Sequence, residues 1–260
     1  MPKNLLKIAL IQNKILFGDP LRTSQTLKRL VTKALKKRPH LILLPEIFLG
    51  GTQIPKQRKN FAKIYQDFLK FLKVFTKTNK VFFFGSILEK SEKKIFNTAI
   101  LVSDTGKILN TYRKNYLFRL EGEHKIYSPG KKSRLWNSPW GKIAPLICYD
   151  IRFPELLRKL TLKGARSALV CAQWPKPRRE HWLTLLKARA IENQMFVIAC
   201  NARGQKGNLD FVGDSCVISP WGEILFQMNS KQDVGYFEID LSLTEKIRKT
   251  YPFLRDAIKA

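Results

Sequence analysis

Two hydrophobic periods alternate along this chain and divide it into short strands and amphipathic helices. Leu5 to Gln12 reads as a first strand, and Thr23 to Lys37 carries Leu27, Leu30, Val31, Ala34 and Leu35 at helical spacing before Pro39 stops it. Leu41 to Leu44 is apolar at every position, as in a strand covered on both faces. Phe61 to Thr76 gathers Phe61, Ile64, Tyr65, Phe68, Leu69, Leu72 and Phe75 on one side of a helix. Strands are predicted at Val81 to Leu88, Phe96 to Ser103 and Ile108 to Arg113, the last two joined by an Asp104-Thr105-Gly106-Lys107 turn. A polar loop spans Lys114 to Lys132. Strand Ile143 to Cys148, helix Pro154 to Lys163, strand Ser167 to Cys171, helix Arg178 to Asn193 and strand Phe196 to Asn201 follow. Cys216 to Ser219 and Ile224 to Gln227 flank a Pro220-Trp221-Gly222 turn, and Val234 to Ile239 is the last strand before a basic helical tail. Crossover helices mixed with hairpins imply α/β architecture with mixed sheets, two of them stacked with helices outside. Without repeats or a linker, one domain over 1–260 is expected.

Several residues of chemical interest fall where apolar strands end. Cys148 closes one strand and precedes Phe153-Pro154-Glu155, a helix start with Pro where a missing N–H costs nothing. The carboxyl end of a strand is where α/β sheets place ligands. A buried structural cysteine is the competing reading of that segment alone. Glu46 follows Leu41 to Leu44, Lys114 follows Ile108 to Arg113, and Glu123 lies in the next loop. Taken singly, such a Glu is usually a surface or capping residue. Together they supply a nucleophile, a base and a fixed cation, a working set for acyl transfer.

Charge adds one question. The chain has 48 Lys and Arg against 20 Asp and Glu, a net charge of +28. That field favours anionic ligands and attracts polyanions. A basic nucleic-acid-binding protein is therefore the rival of another class. The basic residues are spread along the chain, however, in groups such as Lys36-Lys37-Arg38, Lys56 to Lys63 and Lys90 to Lys94, which read as solvated helix ends and turns. Neither a specific nucleic-acid partner nor a membrane partner is expected, and no run of 18 apolar residues exists to span a bilayer. The N-terminus reads as a strand rather than a signal peptide. Cys148, Cys171, Cys200 and Cys216 show no disulfide pattern, which suits a cytoplasmic protein. No zinc spacing, phosphate loop or Gly-x-Ser-x-Gly elbow is present, so neither metal nor cofactor is implied. A Cys–His hydrolase would have to choose among His40, His124 and His181, of which His124, beside Glu123, is the serious contender.

Three ordered segments carry a resemblance: Leu44-Pro45-Glu46-Ile47-Phe48, Tyr112-Arg113-Lys114-Asn115-Tyr116-Leu117-Phe118, and Cys148-Tyr149-Asp150-Ile151-Arg152-Phe153-Pro154-Glu155-Leu156. They resemble the catalytic motifs of the carbon–nitrogen hydrolase (nitrilase) superfamily. Trp174-Pro175-Lys176-Pro177-Arg178, His181-Trp182 and Ala188 to Gln194 resemble its bacterial ω-amidase branch, as do Gly213-Asp214-Ser215 and Pro220 to Glu223. The resemblance implies a four-layer α-β-β-α sandwich, commonly in dimers or larger homo-oligomers, that hydrolyses a linear amide. Cys148 would attack the carbonyl, its thiol eased by a nearby cation. Glu46 would move the protons, and Lys114 with the Tyr149 backbone N–H would hold the oxyanion. Glu123, seven residues before Gly130, would orient Lys114; Glu121 is its neighbour in sequence. The family's usual His two residues after the lysine is Tyr116 here. That His is not a reacting group, so activity is expected to survive.

The ω-amidase resemblance implies a short 2-oxo acid amide as substrate, with deaminated glutathione or an N-carbamoyl compound as alternatives. Trp174, Arg178 and His181 are the substrate-binding candidates. Arg152 has two readings, a partner for the substrate carboxylate or for a core carboxylate such as Asp150 or Glu155; the second is preferred, because a buried Arg at a strand end is usually paired.

Overall fold

The computed structural model describes residues 4–50 and 58–258. Alternation of side chains about the strands decides the layering. The first sheet contains β1 (Leu5–Ile11), β2 (Leu41–Leu43), β3 (Phe82–Ser91), β4 (Lys94–Val102), β5 (Ile108–Arg113) and β14 (Val234–Asp240), in the order β14-β1-β2-β3-β4-β5. Leu41, Leu43, Phe82 and Phe84 point to a core shared with the second sheet, while Ile42, Leu44 and Phe83 point the other way. That outer face is covered by α1 (Pro20–Ala34) and α2 (Arg58–Asn79), through Leu27, Val31, Phe68 and Leu72. Strands with both faces buried leave no room for polar residues, which is why β2 and the start of β3 are uniformly apolar.

The second sheet runs β13-β12-β9-β8-β7-β6, from β6 (Trp136–Ser138), β7 (Gly141–Ile147), β8 (Ser167–Ala172), β9 (Phe196–Asn201), β12 (Cys216–Ile218) and β13 (Ile224–Gln227). Helices α3 (Pro154–Leu162) and α4 (Arg179–Asn193) pack on it through Leu157, Leu160, Trp182 and Leu186. Each sheet has three parallel strands at its centre, β1-β2-β3 and β7-β8-β9, with antiparallel neighbours outside. Two mixed sheets face to face with helices outside make the expected four-layer α-β-β-α sandwich.

The elements agree with the hydrophobic pattern to within a few residues, with two additions. Strand β6 and the hairpin of β10 (Arg203–Lys206) with β11 (Leu209–Val212) contain little apolar alternation, and their pairing comes from turn geometry at Gly141 and Gly207. The basic tail forms α5 (Ser242–Thr250). Part of the positive charge lies exposed on α1 and α2, at Arg22, Lys28, Arg29, Lys33, Lys63, Lys70, Lys73 and Lys77. The Lys56 end of that group falls outside the described residues. Tyr65, Phe68, Phe75 and Phe82 to Phe84 are buried, so these aromatics build the core instead of offering stacking surfaces for bases. No helix among the described residues is long and apolar enough to cross a membrane.

Candidate active site

The chain ends of β2, β5, β7 and β8 converge on one small region between the sheets. Cys148 follows β7 and adopts a left-handed φ of 46°, a conformation costing a non-glycine residue about 1–3 kcal/mol and held only where surroundings over-determine it. Here the Asp150 carboxylate supplies the restraint. It accepts from the Ile147 N–H at 3.0 Å, three residues back, and from the Tyr116 N–H at 3.0 Å and the Tyr112 hydroxyl at 2.9 Å. Ile47, just after Glu46, is also left-handed at 35°, with its N–H bonded to Ser86 Oγ at 2.8 Å.

Glu46 is completely buried and every carboxylate oxygen has a donor. Oε1 accepts from Lys114 Nζ at 2.8 Å and Asn97 Nδ2 at 2.7 Å, and Oε2 from the Gln173 N–H at 3.0 Å. Lys114 Nζ also donates to both oxygens of Glu123, at 2.7 and 2.9 Å, and Glu123 is fixed in turn by the Phe118 N–H at 2.8 Å. Glu121 instead pairs with Arg178 at 3.2 Å, so the two neighbouring acids take different partners. Gly130 anchors the Lys114 backbone: its N–H bonds to the Lys114 carbonyl at 2.7 Å, and a Cβ there would stand 2.2 Å from the Arg113 carbonyl oxygen.

A small cavity, open at its mouth, is lined by Cys148, Glu46, Glu123, Gln173, Tyr149 and Trp174 among others. Lys114 lies behind Glu46 and Glu123 with no exposed side-chain surface. Among the described residues no cluster of His, Cys, Asp and Glu could hold a metal.

The electrostatics correct one expectation. The Cys148 thiol is pushed well above the usual range, first by burial and then by the Glu46 charge; Lys114 pulls the other way and is outweighed. The reason is the charge count of the cluster. One ammonium stands against two carboxylates, and a thiolate would add a third negative charge. Cys148 therefore rests as a thiol, and any nucleophilic role for it would need a base. Burial also raises Glu123, and it lifts Asp150 to about 6.

Arg152 is corrected as well. Among the described residues it forms no ion pair with a carboxylate, because Asp150 is filled by Tyr112, Tyr116 and Ile147 while Glu155 is exposed on α3. Its guanidinium instead lies 4.9 Å from the Trp174 ring centroid and 5.9 Å from that of Tyr149, bonded to His181 Nδ1 at 3.2 Å, and it lines the cavity. His181 thus stands behind Arg152, outside the cavity lining. Arg178 lines the mouth, its charge shared with Glu121 and its guanidinium over Phe118 at 5.1 Å. His124 is exposed, and none of His40, His124 and His181 lines the cavity beside Cys148, which counts against the Cys–His alternative. Tyr116, at the position where the resemblance implies a histidine, stacks flat on Phe153 with centroids 3.6 Å apart. Two polar residues that bond Glu46 escaped the sequence pattern. Gln173 follows β8 just as Glu46 follows β2, and that shared position was the available signal. Asn97 interrupts the apolar run of β4.

The carbon–nitrogen hydrolase family model matches residues 7–249. The chain belongs to that family: it is a carbon–nitrogen hydrolase. It is 34% identical to the 2-oxoglutaramate amidase of Bacillus subtilis, with 97% of each chain covered. It is 32% identical to the omega-amidase YafV of Escherichia coli K12, covering 97% of this chain and 96% of that one. The structure of Saccharomyces cerevisiae Nit3, a member of branch 10 of the nitrilase superfamily, superposes with a TM-score of 0.84 at 28% identity, covering 96% and 95% of the two chains.

Proposed function

We propose that this enzyme hydrolyses the primary amide of a short 2-oxo acid amide through a thioester on Cys148, releasing ammonia. The observation that carries the proposal is the meeting in one small cavity of Cys148, Glu46 and Arg152, an arginine with no carboxylate partner among the described residues. Arg152 is suited to the substrate carboxylate, with Trp174 and Tyr149 as its platform and His181 as its brace. Arg178, already neutralised by Glu121, is suited to the mouth.

The chemistry follows from the hydrogen bonds. As Cys148 Sγ attacks the carbonyl carbon, its proton passes to Glu46 and the carbonyl oxygen becomes an oxyanion. Among the described residues, every hydrogen bond of Lys114 Nζ is spent on a carboxylate in the resting enzyme. Protonation of Glu46 weakens the Lys114–Glu46 bond at the step where the oxyanion appears, and that N–H becomes available to it. The Tyr149 N–H, in the first turn after β7 where such groups lack a helical partner, is the second donor. Collapse breaks the C–N bond, and Glu46 returns its proton to the leaving ammonia. Glu46 then takes a proton from the water that attacks the thioester carbonyl; collapse breaks the C–S bond, Glu46 gives that proton to Sγ, and the 2-oxo acid leaves with the thiol restored.

The test is an ammonia-release screen over 2-oxo acid amides, deaminated glutathione, N-carbamoyl amino acids and nitriles. Fastest turnover of a 2-oxo acid amide supports the proposal; preference for another class replaces the substrate assignment.

We further propose one catalytic domain over 1–260, a cytoplasmic setting, and a dimer or larger homo-oligomer. Four free cysteines support the second. The third is supported by exposed Trp221, Tyr251 and Phe253 in mutual ring contact at 4.9 and 6.0 Å, a patch that a second copy would cover. Light scattering at several concentrations measures it.

A further inference from the structure

Gln173 is tied to the base by its own backbone and side chain. Its N–H donates to Glu46 Oε2 at 3.0 Å and its Nε2 to the Glu46 carbonyl at 2.6 Å. The second bond fixes which way the side-chain amide faces, because only nitrogen can donate to that carbonyl. Its Oε1 is then left buried with no hydrogen-bond partner among the described residues. Gln173 is only 6% exposed, and it lines the cavity beside Cys148 and Glu46. A buried acceptor without a donor is uncommon in a folded protein and asks for a reason. Nothing in the proton transfers uses this atom.

We infer that Gln173 Oε1 accepts one N–H of the substrate's amide group and so makes the site selective for amides over esters. This rests on the amidase reading above and deepens it. A primary amide carries two N–H donors on its leaving atom; an ester carries none and would leave Oε1 unpaired. Sites that hydrogen-bond a substrate N–H discriminate against analogues lacking it for this reason. The same bond turns the nitrogen. With one N–H held by Gln173, the lone pair that develops in the tetrahedral intermediate is free to face Glu46, whose Oε2 is anchored on the same residue. Gln173 is thus a specificity residue for the leaving group, whereas Arg152 addresses the opposite end of the substrate.

The experiment compares a 2-oxo acid amide with the methyl ester of the same acyl group, since both give one thioester and differ only in acylation. In Gln173→Met, kcat/KM for the amide should fall about tenfold more than kcat/KM for the ester, the loss expected of one hydrogen bond to a neutral group with its partner left buried. An equal fall for both would show that Gln173 only steadies Glu46, and no change would show that it does nothing; either result overturns the inference. Should Gln173→Met not fold, binding to Cys148→Ala decides: the amide should bind about tenfold more tightly than the ester, and equal affinity overturns the inference. Wild-type enzyme that hydrolyses neither compound refutes the amidase reading itself, an outcome distinct from an unchanged amide-to-ester ratio.

Discussion

The Tyr112 hydroxyl donates to Asp150 Oδ2 at 2.9 Å and thereby ties β5 of the first sheet to the turn after β7 of the second. Tyr112 lies two residues before Lys114, and Tyr116, two residues after it, donates its N–H to the other Asp150 oxygen. One carboxylate therefore holds both flanks of the lysine and, through Ile147, the left-handed turn at Cys148. Asp150 is a positioning residue, outside the cavity lining.

Asp150→Asn should lower kcat about 10²-fold with little change in KM, because misplacement by an ångström costs that much while the binding groups stay put. In the parent enzyme, activity should fall reversibly as pH drops through about 6, where Asp150 gains its proton. This value lies above that of a free Asp, so the folded chain binds the proton more tightly than the unfolded chain. Protonation of Asp150 then favours the fold, and its contribution to stability declines as pH rises through this window. Activity should be lost on acidification without a fall in Tm attributable to this group. A pH series of kcat and Tm for both proteins checks this.

Glu46→Gln removes the base and should cut turnover by about 10²–10⁴-fold. The same change should make Cys148 more acidic, because the Glu46 charge is one of the causes that raise its thiol. Alkylation rate against pH measures the thiol directly. Faster alkylation at neutral pH alongside lost hydrolysis separates nucleophile acidity from catalysis.

Arg152→Met should lower kcat/KM for a 2-oxo acid amide by about 10- to 100-fold, the loss expected for a hydrogen bond to a charged group. A neutral amide of similar size should lose little. Equal losses on both substrates would mean that Arg152 only supports Trp174 and Tyr149.

Gly130→Ala should destabilise by about 1–3 kcal/mol and reduce kcat. The added carbon meets the Arg113 backbone, which has no freedom to yield without moving Lys114. Thermal unfolding and kinetics read the two effects separately.

How far the sequence carried the site depended on the kind of information each residue held. Glu46 and Cys148 were legible because a polar or reactive residue closing a fully apolar strand is chemically conspicuous. Gln173 closes β8 in the same way, but a glutamine has no titratable group to draw notice. The pairing of Arg152 was misread because it depended on how Asp150 was already occupied, a fact spread over Tyr112, Tyr116 and Ile147 on two sheets. The Cys148 thiol was misread for a similar reason. Lys114 looked like its cation, but Glu46 and Glu123 had claimed that charge. Strand β6 and the β10–β11 hairpin were hidden because turns, rather than hydrophobic alternation, pair them.

The most direct measurement is the mass of the Cys148-containing peptide after rapid quenching of the enzyme with a 2-oxo acid amide. An acyl adduct on Cys148, together with loss of both adduct and ammonia release in a folded Cys148→Ala variant, is the predicted result. Ordinary ammonia release by Cys148→Ala, or an adduct on a different residue, would contradict it.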